Sequence, residues 1–147
     1  MKLDLITKKQ DEYCTPVYAI EPIVKYLKPK SNIWCPFDTK ESNYYKLLTS
    51  LGFNVFCSHI ENGQDFLTVS PDIIPNCDYV ISNPPYSLKN EVFTKLYELD
   101  KPFAMLVGVA GIFESKLRFN LFSQNKLEVM YFNKRVSYFK IHYLYLS

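Results

Sequence analysis

Four short apolar runs punctuate this chain, at 32–37 (NIWCPF), 54–60 (NVFCSHI), 77–82 (CDYVIS) and 102–109 (PFAMLVGV). Each is too short for a free-standing helix and suits a buried, pleated strand. Between them lie stretches whose apolar residues recur at helical spacing. These are Val17, Ile20, Ile23, Val24 and Leu27 in 16–27, Tyr44, Tyr45, Leu47, Leu48 and Leu51 in 41–51, and Val92, Phe93, Leu96 and Leu99 in 88–99. A further helix is expected at 113–122. Parallel strands need a long crossover, and a helix supplies it, so this alternation predicts an α/β fold. The sheet should be mostly parallel, with helices on both faces. Two later runs, 127–132 and 136–146, flank Asn133-Lys134-Arg135 and predict a C-terminal antiparallel hairpin. No repeat or low-complexity linker divides the 147 residues. A single domain over 1–147 is expected, opening with a flexible polar arm at 1–12.

Local chemistry marks the ends of these elements. Thr15 followed by Pro16 fits an N-cap with proline at the first helical position. Gly52 follows Leu51 where the second helix must stop.

Composition removes several function classes. The net charge of +2 is too mild to mark a strongly basic nucleic-acid binder. The charge is unevenly spread, however. From Lys116 onward stand six basic residues (Lys116, Arg118, Lys126, Lys134, Arg135, Lys140) against Glu128, a balance of +5 that leaves −3 for the rest. Lys116, Arg118, Lys134 and Arg135 are candidate phosphate contacts. Cys14, Cys35, Cys57 and Cys77 form no CxxC pair and lie in or beside apolar stretches. They read as buried thiols in a reducing cytoplasm, without a disulfide frame or metal site. The opening MKLDLITKKQDEY lacks an apolar signal core, and no apolar run is long enough to span a membrane. The 12 Tyr and 11 Phe are read mostly as core, with some left to stack on bases.

The segment ISNPPYSLKN, 81–90, is the functional focus. Two consecutive prolines can neither extend a strand ladder nor continue a helix, so Pro84-Pro85 must form a stiff loop at a strand end. In parallel α/β sheets, ligands bind beyond the carboxyl ends of the strands. The loops CPFDTKES, SHIENGQDF and NPPY all fall at such ends. A rigid loop offering one carboxamide, free carbonyls and one ring suits a flat, polar ligand.

Asn83-Pro84-Pro85-Tyr86 after a buried strand resembles the catalytic motif of amino-methyltransferases that use S-adenosylmethionine, above all short phage-type N6-adenine DNA methyltransferases. The resemblance implies a Rossmann-like class I methyltransferase sheet and S-adenosylmethionine as cofactor. It also implies that Asn83 and the Pro84 carbonyl accept hydrogen bonds from the target amino group. Pro85 stiffens the loop, and Tyr86 stacks on a base that is flipped out or single-stranded. DEYCTPVYAIEPIV, 11–24, resembles the family's segment before the first strand, which would bring Tyr13, Thr15 and Pro16 to the cofactor's methionine end.

In the family's cofactor loop, an acid and a proline precede a glycine-rich turn. Here Pro36 matches, Cys35 stands at the acid position, and Thr39 and Glu41 stand at the glycine positions. Asp38 is the candidate replacement for the carboxylate. By the same resemblance, His59 or Glu61 would bind the ribose hydroxyls. Asp65 would read the adenine amino group, and Phe66 would pack on its ring. The resemblance spans nearly the whole chain as a minimal catalytic core with no target-recognition region, so target choice would fall to loops or a protein partner. The expected function is adenine N6 methylation of DNA. The alternatives are a methyltransferase-like binding module with an altered cofactor loop, and methylation of another planar NH2 group such as a glutamine amide or an RNA base.

Overall fold

A computed structural model describes residues 13–140. Its centre is a four-stranded parallel sheet formed by β2 (Asn32–Cys35), β3 (Asn54–Cys57), β4 (Tyr79–Ser82) and β5 (Phe103–Met105), in spatial order β3-β2-β4-β5. In register, Trp34 lies opposite Phe56 and Val80, and Ile81 lies opposite Ala104. A separate two-residue ladder pairs β1 (Tyr13–Cys14) antiparallel with β6 (Phe139–Lys140).

Helices α1 (Val17–Val24), α2 (Asn43–Ser50), α3 (Lys89–Glu98) and α4 (Lys116–Gln124) complete the order. The period-two alternation of each strand sends side chains to two faces. Ile33, Cys35 and Ile81 face one side and pack under Ile20 of α1 and Tyr44 and Leu48 of α2. Trp34 and Val80 face the other side and pack with Val92, Phe93 and Leu96 of α3. The expected α/β sheet with helices on both faces is therefore present.

Several boundaries differ from the sequence expectation. Pro16, not Thr15, is the N-cap of α1, so Thr15 is free of a capping role and sits buried before the helix. Ser42 caps α2 by accepting from the Tyr45 amide at 3.2 Å. Gly52, at φ 88°, turns the chain away after α2, a conformation that suits a residue without Cβ.

The C-terminal hairpin is not formed among the described residues. The segment 125–138 has no regular structure, and Leu127, Val129, Met130 and Tyr131 are exposed. The apolar residues there lack a packed face to rest on. The expected arm at 1–12 and the end of the last expected strand lie outside the described residues. No helix among the described residues is long and apolar enough to cross a membrane.

The topology sets the site. From β2 the chain passes through α2 to β3 on one side, then returns across β2 to build β4 on the other. Connections that leave neighbouring strands in opposite directions open a crevice at their carboxyl ends. The loops after β2 and β4 border that crevice.

Candidate functional site

Strand β4 ends at Ser82, which is fully buried. The chain continues through Asn83, buried Pro84 and half-buried Pro85 into a single 3-10 turn at Tyr86–Leu88, and α3 follows at once. The prolines leave no helical path out of the strand, so Asn83 is fixed directly above the sheet edge. Its Nδ2 donates to Thr15 Oγ1 at 3.2 Å. Its Oδ1 is buried and has no hydrogen-bond partner among the described residues. A buried acceptor left unpaired is costly, and such groups in native proteins commonly belong to a functional site.

Thr15 is itself held twice. Its carbonyl accepts from Asn43 Nδ2 at 2.8 Å, and its hydroxyl is hydrogen-bonded to the Tyr44 phenol. Burial, then the nearby Asp38 and Cys35, raise the Tyr44 phenol well above its ordinary range.

The loop after β2 contributes Asp38. The Ser82 hydroxyl donates to its carboxyl, and Ser42 is a second hydrogen-bonding neighbour. The Asp38 amide donates to the Ser58 carbonyl at 3.2 Å, which ties this loop to the end of β3. Burial raises the Asp38 carboxyl to about 6, opposed by the bonds from Ser82 and Ser42 and by the charge of His59. Desolvation of the carboxylate outweighs the hydrogen bonds that favour it.

The remaining expected residues divide into those that reach this crevice and those held elsewhere. Pro36 is buried in the loop that carries Asp38. Cys35 is fully buried, and its thiol is raised by a hydrogen bond with Cys57 and then by burial. His59 Nδ1 accepts from the Glu61 amide at 3.2 Å and lies 3.8 Å from the Glu61 carboxylate, which is largely exposed. Pro16 is buried at the start of α1, and Tyr13 lies in the β1 ladder.

Asp65 Oδ1 accepts from the Leu67 amide at 3.0 Å, closing a local turn. Phe66 is 1% exposed, between Trp34 (ring centroids 5.5 Å apart) and Phe37 (5.1 Å). Phe66 thus packs within the core, with Lys95 Nζ 5.4 Å from its ring centroid. Arg118 is likewise taken up internally. It donates to the Ile112 carbonyl at 2.8 Å, Asn90 Oδ1 at 2.6 Å and the Gly111 carbonyl at 2.5 Å. These bonds hold the loop before α4. Lys116 and Arg135 are exposed. Lys134 Nζ lies 5.1 Å from the Tyr18 ring centroid.

Sequence reasoning passed over Ser82, Ser42, Asn43, Tyr44, Tyr18 and Tyr138. Ser82 was legible as the residue before the motif, and Ser42 as a helix cap. Tyr138 carried no signal. Its phenol is hydrogen-bonded to Tyr86 and is pushed up, first by burial. Ser137 donates its amide to Tyr18 Oη at 2.8 Å, so the segment before β6 lies along this side of the site. Gly108 borders Tyr86 from the loop after β5, where a Cβ would stand 3.9 Å from Tyr86 Cε1.

A cavity of about 160 Å³ lies at the end of β3, lined by Trp34, Phe56, Cys57, Ser58, Gln64 and Val69, among others. A larger hollow of about 480 Å³ lies over α3, between Leu67, Thr94, Lys95 and Leu117. It includes no residue of the Asn83–Tyr86 loop.

No protein-family model matches the chain, and no solved structure matches it. The chain is similar to the type II methyltransferase M.EcoRI of Escherichia coli, with 30% identity over 88 residues. The matched stretch is 60% of this chain and 26% of the relative, so the chain spans about a quarter of that protein's length.

Proposed function

We propose that this chain carries a class I methyltransferase domain that transfers a methyl group from S-adenosylmethionine to the N6 amino group of adenine in DNA. The observation that carries the reading is the Asn83 carboxamide, with Nδ2 bonded to Thr15 and Oδ1 buried and unpartnered. Similarity to a type II methyltransferase supports methyl transfer in general.

The chemistry follows from that amide. An aromatic amine is a poor nucleophile, because its lone pair is delocalised into the ring. Asn83 Oδ1 and the Pro84 carbonyl would accept its two protons, favouring the pyramidal form. They would also stabilise the positive charge that grows on nitrogen as the new N–C bond forms, and the rigid loop keeps these dipoles aimed in advance. Tyr86 would offer a ring face to the base, which must leave a duplex stack to arrive. Water takes the released proton.

The donor set fits the cofactor at one point above all, the buried Asp38 carboxyl at the crevice. A cationic amine beside it would restore the charge that burial disfavours. Asp38 would hold the amino group of the methionine end, and Glu61 or His59 the ribose. The cavity lined by Trp34, Phe56, Ser58 and Gln64 would take the flat ring. When bound, S-adenosylmethionine supplies a methyl group on a positively charged sulfur, an activated electrophile. We place the protein in the cytoplasm, a setting that suits its four free thiols.

A second reading, a non-catalytic binding module, is favoured by the loop after β2. It carries Thr39 and Glu41 in place of glycines, and the Asp38 amide is already bonded to Ser58.

The deciding experiment mixes the protein with methyl-tritiated S-adenosylmethionine and a single-stranded oligonucleotide containing adenine. Tritium in N6-methyladenine, absent with Asn83→Ala, supports the enzyme. No transfer at saturating cofactor, with DNA still bound, supports the binding module.

A further inference from the structure

We infer that Thr15 is the positioning residue that orients the Asn83 carboxamide, so that its oxygen and not its NH2 faces the target amine. This rests on the reading of Asn83 as the acceptor for an amino group. A carboxamide has a donor end and an acceptor end of nearly the same shape. Turned the wrong way, Asn83 would present N–H to N–H, and the acceptor pair would be lost. The direction must therefore be set by a neighbour.

Thr15 Oγ1 is that neighbour. It lies 3.2 Å from Asn83 Nδ2, while Oδ1 has no partner among the described residues. A hydroxyl can also donate, and Thr15 could then serve Oδ1 instead. In this fold it does not: Nδ2, and not Oδ1, meets the Thr15 hydroxyl, and the buried Tyr44 phenol is its other neighbour. The Thr15 oxygen therefore receives the Asn83 N–H. Asn43 fixes the Thr15 backbone through its carbonyl at 2.8 Å. Thr15 is 6% exposed and Tyr44 is 3% exposed, so water does not compete freely for these bonds. The relay runs from Asn83 Nδ2 to Thr15 to Tyr44, joining the NPPY loop to the first turn of α2. The residue that resemblance assigned to the cofactor is here bonded to the motif's Asn.

The test compares Thr15→Val, which keeps shape and removes the acceptor, with Thr15→Ser, which keeps it. The rate and the KM for S-adenosylmethionine are measured alongside the NMR signals of the Asn83 side-chain NH2, assigned by their loss in Asn83→Ala. In Thr15→Val, kcat should fall about tenfold, the worth of one hydrogen bond, with KM for the cofactor unchanged. Thr15→Ser should restore the rate. The Asn83 NH2 protons should be protected from exchange in the wild type and lose protection in Thr15→Val only. A raised KM with unchanged kcat would make Thr15 a cofactor ligand and overturn the inference. If the wild type transfers no methyl group, the proposed reaction fails while the NMR comparison still decides the contact. Exchange that is indifferent to Thr15→Val overturns it.

Discussion

Ser82, the last residue of β4, donates its hydroxyl to the carboxyl of Asp38 in the loop after β2. Both side chains are buried, so this bond clamps the two strand ends at the point where the sheet's connections diverge. It also sets a titratable group against the residue before Asn83. The clamp is built from a carboxyl whose folded value is near 6 instead of 3.8, because burial outweighs its hydrogen bonds.

That shift makes stability depend on pH. The folded state holds the proton more tightly than the unfolded chain does, so ionisation of Asp38 opposes folding. Below about pH 4 both states are protonated and the penalty is absent. It grows as the pH rises through the window from about 4 to about 6, reaching about 3 kcal/mol above it. Urea unfolding of the wild type and Asp38→Asn at pH 4, 5, 6 and 7 should show the wild type losing stability relative to the variant across this window. Parallel curves would count against the shift.

Cofactor affinity should follow the opposite sense. An ammonium group binds the carboxylate and not the neutral acid, so calorimetric affinity for S-adenosylmethionine should rise with pH and level off above about 6. Asp38→Asn should lower the affinity and flatten the profile. Affinity that is the same at pH 5 and pH 7 in the wild type would remove Asp38 from the cofactor site.

The parallel sheet was legible because its strands are short apolar runs with helical stretches between them, and burial on both faces leaves that mark on sequence. The Asn83 loop was legible because Pro84-Pro85 permits few backbone paths. The hairpin is not shown: 127–132 is mostly apolar, as a strand would be, yet the described fold gives that segment no face to cover. The placement of Phe66 in the core was also not legible. Its neighbours Gly63, Gln64 and Asp65 mark a loop, but a ring in a loop can still turn inward, and Trp34 and Phe37 draw it there. Thr15 and Asn83 lie 68 positions apart, and only the folded sheet brings them together.

Phe66 is therefore expected to behave as a core residue. Phe66→Ala should destabilise the protein by about 3–5 kcal/mol, the range for deleting a buried ring. Thermal melting checks this directly. A variant that melts like the wild type but binds S-adenosylmethionine poorly would return Phe66 to the cofactor.

The basic residues should separate in the same way. Arg118→Ala removes bonds to two carbonyls and to Asn90, and should cost about 2 kcal/mol of stability. It should leave the salt dependence of single-stranded DNA binding unchanged. Arg135→Ala, at an exposed position, should instead leave melting unchanged. If Arg135 meets a phosphate, the slope of log affinity against log salt should fall by about 0.7. Titrations at several salt concentrations distinguish the two, and a reduced slope for Arg118→Ala would contradict its internal placement.

Tyr86 offers the sharpest separation of face from phenol. Its hydroxyl is bonded to Tyr138, while its ring is half-buried beside Gly108, with Lys89 Nζ 5.9 Å from the ring centroid. If the base stacks on the ring, Tyr86→Phe keeps that surface and should bind single-stranded DNA nearly as the wild type does. Tyr86→Ala should lose about 1–3 kcal/mol, the worth of one stacked base. Fluorescence anisotropy with a labelled oligonucleotide reads both variants, with melting curves to exclude unfolding. Should Phe and Ala weaken binding equally, the contact to DNA would run through the phenol and its Tyr138 partner, and the stacking role would be withdrawn.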